Sequence, residues 1–152
     1  MTSNKSQLKT DPLTVAECTC FNLRKATRTV TQLFDEVMQP TGLRATQFTL
    51  LAAISSFGSV AIGPLSQALV MDRTTLTRNL KPLESQQLVK IVPGEDRRTR
   101  NLTLTDKGKK TLKKSMPYWT KAQSEVIQRL TPRRWNELMK NLNSTIKTLG
   151  PT

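Results

Sequence analysis

Residues 71–105 decide the fold and read MDRTTLTRNLKPLESQQLVKIVPGEDRRTRNLTLT. Asp72 suits the start of a helix, because its carboxylate can accept hydrogen bonds from the free amides of the next turn. The helix that follows has one apolar face, formed by Leu76, Leu80 and Leu83. Pro82 lies inside this segment and predicts a kink, because it removes one backbone hydrogen bond.

The spacing of apolar residues changes after this helix, from a helical period to the alternation typical of strands. Residues 89–92 are rich in β-branched side chains, Pro93-Gly94 supplies turn residues, and residues 101–105 alternate between polar side chains and leucine. This pattern predicts two strands joined as a β-hairpin. The tip of the hairpin, residues 95–100, reads EDRRTR and is highly charged.

Two further helices are predicted upstream of Asp72. Pro64 suits the first turn of a short helix that runs to about Val70 and buries Leu65, Ala68 and Leu69. Two short helices separated by a tight turn form a helix-turn-helix. Residues 46–57 are apolar nearly all round, which predicts a core helix. Its predicted core residues are Phe48, Leu50, Leu51, Ile54 and Phe57.

Longer helices flank this central unit. Apolar residues recur at helical spacing from Val15 to Met38. Thr105-Asp106 suits the start of a second long helix, and Thr131-Pro132 that of a last one. The last helix carries an apolar stripe of Trp135, Leu138, Met139, Leu142, Ile146 and Leu149. These stripes exceed what one small lobe needs to cover its core, so a second copy of the chain is their simplest partner.

Composition favours binding over catalysis. The chain has 152 residues, with 24 Lys+Arg, 11 Asp+Glu and no histidine, which gives a formal charge of +13. The absence of histidine removes the commonest general base at neutral pH and the commonest metal ligand. We therefore expect no enzymatic activity, no cofactor and no metal site. The charge, of which +7 lies within residues 61–114, indicates a polyanionic partner, with nucleic acid ahead of a membrane surface.

The polar N-terminus and the uncharged middle of the chain bear on its location. Residues 1–12 are predicted to form a flexible tail, with residues 13–152 as a single domain, and the tail lacks the apolar stretch of a secretory leader. Residues 45–71 carry no charge, but Gly58, Gly63 and Pro64 interrupt them. Buried helices therefore explain this run better than a membrane span. We expect a cytoplasmic protein with no membrane partner.

A helix-turn-helix followed directly by a hairpin is a winged helix, whose usual role is to read duplex DNA. The first turns of the second helix fit the major groove, and an arginine-rich hairpin tip suits the minor groove. The candidate DNA-binding residues are Arg73, Thr74, Thr75, Thr77, Arg78 and Lys81 on the helix and Arg97, Arg98 and Arg100 on the hairpin. Sequence-independent attraction to phosphates is expected from Lys107, Lys109, Lys110, Lys113 and Lys114.

Three motifs resemble a known family. DRTTLTRNL at residues 72–80, the acidic-x-arginine at residues 96–98 and LTDKG at residues 104–108 closely resemble, in order and spacing, those of the MarR family of bacterial transcriptional regulators. The resemblance extends from about Val15 to Leu149. It implies a mainly α fold with a small β-hairpin. In that fold a winged helix-turn-helix lobe occupies about residues 44–105, and dimerisation helices occupy about residues 13–38 and 106–149.

The resemblance also implies a function. It implies a homodimer that binds a pseudo-palindromic operator in double-stranded DNA. It further implies repression that is relieved by a small phenolic or other lipophilic ligand, or by cysteine oxidation. By position, Arg98 would be the minor-groove arginine and Asp96 would orient the wing.

Several candidate residues have plainer structural interpretations. Arg98 could pair with Asp96 alone, and part of the lysine cluster could serve solubility. Trp119 and Trp135 suit the core or a dimer interface better than the wall of a ligand pocket.

Cys18 and Cys20 are the candidate redox residues. Two positions apart on one helix, they would point about 200° away from each other. This favours packing of one of them as a small apolar residue. A thiol switch would require that Cys20 be exposed and activated by Arg24.

The leading functional prediction is a dimeric, sequence-specific transcriptional regulator. The alternative is a non-specific or architectural nucleic-acid-binding protein, because the same charge would bind DNA without sequence preference. The ratio of specific to random affinity at fixed salt separates the two.

Overall fold

The computed structural model describes residues 15–96 and 99–150, which are mainly helical. The helices are α1 (Thr19–Met38), α2 (Ala45–Phe57), α3 (Ile62–Ala68), α4 (Arg73–Ser85), α5 (Asp106–Leu130) and α6 (Pro132–Leu149), with a 3-10 turn at Gln39–Thr41. The strands are β1 (Val60–Ala61), β2 (Val89–Pro93) and β3 (Arg100–Leu104). The predicted mainly α fold with a small β-hairpin is confirmed. None of the described helices combines the length and hydropathy needed to cross a bilayer.

The helices match the predicted ones, with shifted ends. α1 begins at Thr19 rather than Val15, because Cys18 has an extended backbone conformation (φ −62°, ψ 123°). α3 begins at Ile62, ahead of Pro64, and α4 runs through Pro82. The helix-turn-helix therefore consists of α3 and α4 with the turn at residues 69–72. The predicted flexible tail, residues 1–12, lies outside the described residues.

One apolar core holds the lobe together. Its buried members are Met38, Leu43, Phe48, Leu50, Leu51, Ile54, Val60, Leu65, Leu76, Leu80, Leu83, Leu88, Val89, Leu102 and Leu104. Two residues that the sequence pattern assigned to the core are exposed instead. Phe57 is the last residue of α2 and Ala68 the last of α3, so both lie where their helix leaves the core.

The sheet has the order β1-β3-β2 and contains one strand that the sequence pattern did not predict. β2 and β3 form the predicted hairpin, with Ile91 opposite Leu102. β1 places Val60 opposite Leu102 on the other side of β3. A hydrogen bond of 2.9 Å from Thr103 Oγ1 to the Gly58 carbonyl joins β3 to the end of α2. The base of the wing is thus anchored to the helical lobe.

The two predicted caps after the wing have different outcomes. Thr105 caps α5 as predicted, because its Oγ1 accepts from the Gly108 amide at 3.0 Å. The predicted cap of α6 is wrong: Thr131 makes no side-chain capping hydrogen bond and has a φ of 68°. Thr131 also ends α5, so the chain reverses at this residue and adopts a positive φ there.

Two helices present apolar side chains to solvent in the single chain. α6 has no buried residue, and its Ile146 and Leu149 are 54% and 77% exposed. On α1, Phe21 and Val30 are 42% and 41% exposed. Burial of such surface stabilises by about 25 cal/mol per Å². Packing of a partner against these faces would therefore be stabilising.

Candidate DNA-binding interface

The start of α4 is fixed by a side-chain cap. Asp72 Oδ1 accepts from the Thr75 amide at 2.8 Å, and Asp72 Oδ2 accepts from the Thr75 hydroxyl at 2.6 Å. The hydrogen bond from the Thr75 side chain, followed by the one from its backbone, favours the carboxylate and lowers the pKa of Asp72 below 3.8. Since the Thr75 hydroxyl donates to Asp72, only its acceptor capacity is left for a ligand.

Most of the predicted DNA-binding residues of α4 share one exposed face. Leu76, Leu80 and Leu83 anchor the opposite face in the core. The outer face forms an open concavity of about 360 Å³, lined by Arg73, Thr74, Thr77, Arg78 and Lys81. Among the described residues, no carboxylate forms an ion pair with any of these three cations. The face therefore presents to solvent three cationic groups that have no carboxylate partner among the described residues, together with the side chains of two threonines.

Arg73 lies close to the preceding helix. A Cβ built on Gly63 of α3 would lie 3.1 Å from Arg73 Nη2. The missing side chain at Gly63 therefore leaves room for the Arg73 guanidinium at the α3 side of the concavity. In the sequence, Gly63 stands out only as an interruption of an uncharged run, because its proximity to Arg73 depends on how α3 packs on α4.

The wing turn is closed by Thr99, a residue that no sequence pattern marks. The Thr99 amide and hydroxyl both donate to the Asp96 carbonyl, at 2.8 and 2.7 Å. The Gly94 amide donates to the Thr99 carbonyl at 2.8 Å. Arg100 is exposed at the first position of β3. The other two candidate arginines of the wing, Arg97 and Arg98, lie outside the described residues.

The lysines after the wing do not share one environment. Lys107 Nζ donates to the Gln86 carbonyl at 2.7 Å, at the end of α4. Lys109 Nζ lies 3.8 Å from the Asp106 carboxylate. The remaining three, Lys110, Lys113 and Lys114, are exposed on α5.

The cysteines are placed differently from the sequence-based expectation. Cys18 is the N-cap residue of α1 and Cys20 is the second residue of the helix, so they do not both lie within it. The two are free and exposed. Among residues 15–96 and 99–150, no element covers this end of α1, so the expectation that one of them packs as a small apolar residue is wrong for this part of the chain.

The two tryptophans lie in different environments. The rings of Trp119 and Phe48 stack with centroids 5.9 Å apart, so Trp119 is a core residue as expected. Trp135 is half-buried on α6.

An open groove of about 660 Å³ lies between α1 and the start of α2, and its lining includes Arg28, Asp35 and Arg44. No cluster of potential metal ligands occurs within residues 15–96 and 99–150.

The helical lobe, the three-stranded sheet and the outward face of α4 define a winged helix-turn-helix protein. The transcriptional regulator MosR of M. tuberculosis, solved in complex with DNA, is 34% identical to this chain. The match covers 88% of this chain and 99% of MosR, with a TM-score of 0.75. A mutant of MarR from E. coli, solved with operator DNA, has the same fold at 23% identity, covering 85% and 91% of the two chains with a TM-score of 0.71.

A curated sequence relative agrees with this classification. The uncharacterized HTH-type transcriptional regulator YwoH of Bacillus subtilis (strain 168) is 24% identical over 105 residues, which are 69% of this chain and 77% of YwoH. No protein-family model matches the chain. Given the extent of the match to MosR and the fold shared with MarR, the chain belongs to the MarR family of transcriptional regulators.

Proposed function

We propose that this chain is a sequence-specific transcriptional regulator that binds double-stranded DNA through α4. The observation that carries the proposal is the outer face of α4, where two arginines and a lysine without carboxylate partners among the described residues line one concavity with two threonines. An α-helix fits the major groove, where such groups bind base edges and phosphates. The DNA complexes of MosR and MarR support the proposal. We assign no catalytic role to any residue.

The functional unit that we propose is a homodimer. The exposed apolar faces of α1 and α6 would pair with those of a second copy, with residues 13–38 and 106–149 as dimerisation helices and residues 44–105 as the DNA-binding lobe. Two-fold pairing would place the two α4 helices about one DNA turn, roughly 34 Å, apart. The matching operator is pseudo-palindromic, and the wing arginines Arg97, Arg98 and Arg100 would enter the minor groove, with Asp96 orienting the wing.

We further propose that the protein is a repressor released by an effector. The groove of about 660 Å³ between α1 and the start of α2 joins a proposed dimerisation helix to the lobe, and its volume suits a small phenolic or other lipophilic ligand. Oxidation is the alternative route, since Cys18 and Cys20 are both exposed. DNA release on oxidation that persists in the Cys18→Ser, Cys20→Ser double variant would exclude the thiol route.

Selection of duplexes from a random library, followed by hydroxyl-radical footprinting, tests the proposed function. We expect a two-fold symmetric motif with half-sites about 10 base pairs apart. Arg78→Ala should cost about 1–3 kcal/mol of binding free energy and relax the preference at one position in each half-site. Lys140→Ala, which removes a positive charge from α6, is the control and should leave the motif intact.

A second function is favoured by the formal charge of +13, which suits binding to any duplex. If the library yields no motif and the footprint has no boundaries, the proposal of a sequence-specific regulator is rejected. The chain is then a non-specific architectural protein. A regulator of chromosomal DNA acts in the cytoplasm, which is where we expect this protein.

A further inference from the structure

The end of α4 is held by the start of α5. Three carbonyls that follow α4 each accept a hydrogen bond from Thr105 or Lys107. Lys107 Nζ donates to Gln86 O at 2.7 Å, Thr105 Oγ1 donates to Gln87 O at 2.6 Å, and the Thr105 amide donates to Leu88 O at 3.1 Å. Gln86 is the C-cap residue of α4, and a helix C-terminus leaves its carbonyl unpaired, so the bond from Lys107 completes the end of the helix. The two bonds from Thr105 tie the residues that follow the cap to the start of α5.

The α4 terminus has a defined backbone conformation at this junction. Gln87 has a φ of 59°, its amide donates to Glu84 O at 2.8 Å, and the Leu88 amide donates to Leu83 O at 2.9 Å. This is a Schellman motif, with glutamine at the left-handed position that glycine usually occupies. Leu83 and Leu88 are both buried, as is common in this motif. The end of α4 is therefore fixed by two backbone hydrogen bonds and by the packing of two buried leucines.

Gly108 allows α5 to approach this closely. A Cβ on Gly108 would lie 2.0 Å from Leu88 O, which is backbone and cannot easily move aside. The partial negative charge at the end of α4 thus meets the partial positive charge at the start of α5, and the Lys107 ammonium adds to this attraction. We call Thr105, Lys107 and Gly108, with residues 86–88, the α4–α5 junction.

We propose that Lys107 is a positioning residue for DNA binding, which, together with Thr105 and Gly108, sets the angle between α4 and α5 through its bond to the Gln86 carbonyl. This inference rests on the proposed function, in which α5 belongs to the dimerisation helices. In a dimer whose α5 helices are fixed, the junction determines the separation and tilt of the two α4 helices. Lys107 thereby contributes to the preference for one half-site spacing, a role different from the phosphate attraction expected from its sequence.

The test compares Lys107→Met with wild type on a selected duplex, on random DNA, and on duplexes with one base pair added or removed between the half-sites. Methionine retains the aliphatic stem and loses the ammonium. We expect roughly tenfold weaker binding to the selected duplex, because a hydrogen bond to a charged group is lost. We also expect reduced discrimination between spacings, with unchanged affinity for random DNA and an unchanged salt dependence. Lys107→Arg keeps a charged donor and should restore the preference for spacing.

Two results would overturn the inference. One is equal weakening on selected and random DNA with a salt slope reduced by about one, which identifies a phosphate contact. The other is a Lys107→Met protein with the spacing discrimination of wild type. Wild type without any preference for a selected duplex would instead reject the proposed function. Circular dichroism melting of each variant verifies that Lys107→Met is folded, as expected for an exposed side chain.

Discussion

The carboxylate of Asp72 accepts two hydrogen bonds from one residue, Thr75, through both of its oxygens. This pair begins α4 and holds its first turn in place. The same turn carries Arg73 and Thr74 of the candidate DNA-binding face. The orientation of that face therefore depends on a cap that the sequence alone predicts.

The cap makes stability depend on pH in a defined direction. The pKa of folded Asp72 lies below its ordinary value of 3.8, so the ionised group stabilises the fold above that value, and this contribution is lost as the pH falls through the folded pKa. Asp72→Asn keeps a capping side chain but does not titrate. We expect the Tm advantage of wild type over Asp72→Asn to shrink as the pH is lowered from about 7 to about 3. A Tm difference that is constant over this range would contradict the role assigned to the carboxylate.

The turn between α3 and α4 contains a strained valine. Val70 has a φ of 51°, which is costly for a β-branched residue, and its side chain is 55% exposed. Val70→Gly should therefore raise the free energy of unfolding by about 1 kcal/mol, because it removes the strain and little packing. Val70→Ala, which keeps a Cβ, should gain less. Urea denaturation measures both variants, and a loss of stability in Val70→Gly would show that the turn is not strained.

Local patterns predict the elements, whereas contacts between distant segments decide the roles of several residues. Asp72 and the leucines of α4 are predictable because capping and helical period act within a few residues. β1 has only two residues, too few for a strand period, and exists because β3 offers it a partner. The hydrogen bond from Lys107 to the Gln86 carbonyl joins residues 21 apart in the chain, so no local pattern predicts it.

The turn of the wing has little room for a side chain at Gly94. A Cβ there would lie 2.3 Å from Thr99 Oγ1 and 3.1 Å from Thr99 Cβ. Gly94→Ala should open the turn and weaken DNA binding roughly tenfold, because the charged tip moves away from the groove. The Tm should change little, since Gly94 lies outside the buried core.

A second variant separates the clash from other effects of the substitution. Adding Thr99→Ala to Gly94→Ala removes the nearest atom and should recover part of the affinity. Fluorescence anisotropy on the selected duplex measures both proteins. Unchanged affinity in Gly94→Ala would argue that the wing tip does not contact DNA.

The apolar stripe of α6 is expected to hold the dimer. Ile146→Glu places a charge where burial is proposed, and the cost of burying an unpaired charge should shift the equilibrium toward monomer. Ser144→Glu puts the same charge on the opposite face of α6 and should leave the dimer intact. Sedimentation velocity distinguishes them. If both variants sediment with the same distribution as wild type, the dimer interface does not include this face of α6.

The ratio of the affinity for a selected duplex to that for a scrambled duplex, at one salt concentration, tests most directly whether α4 reads base sequence. We predict a ratio of about a thousandfold or more. A ratio near one would contradict sequence-specific recognition and leave only attraction to phosphates.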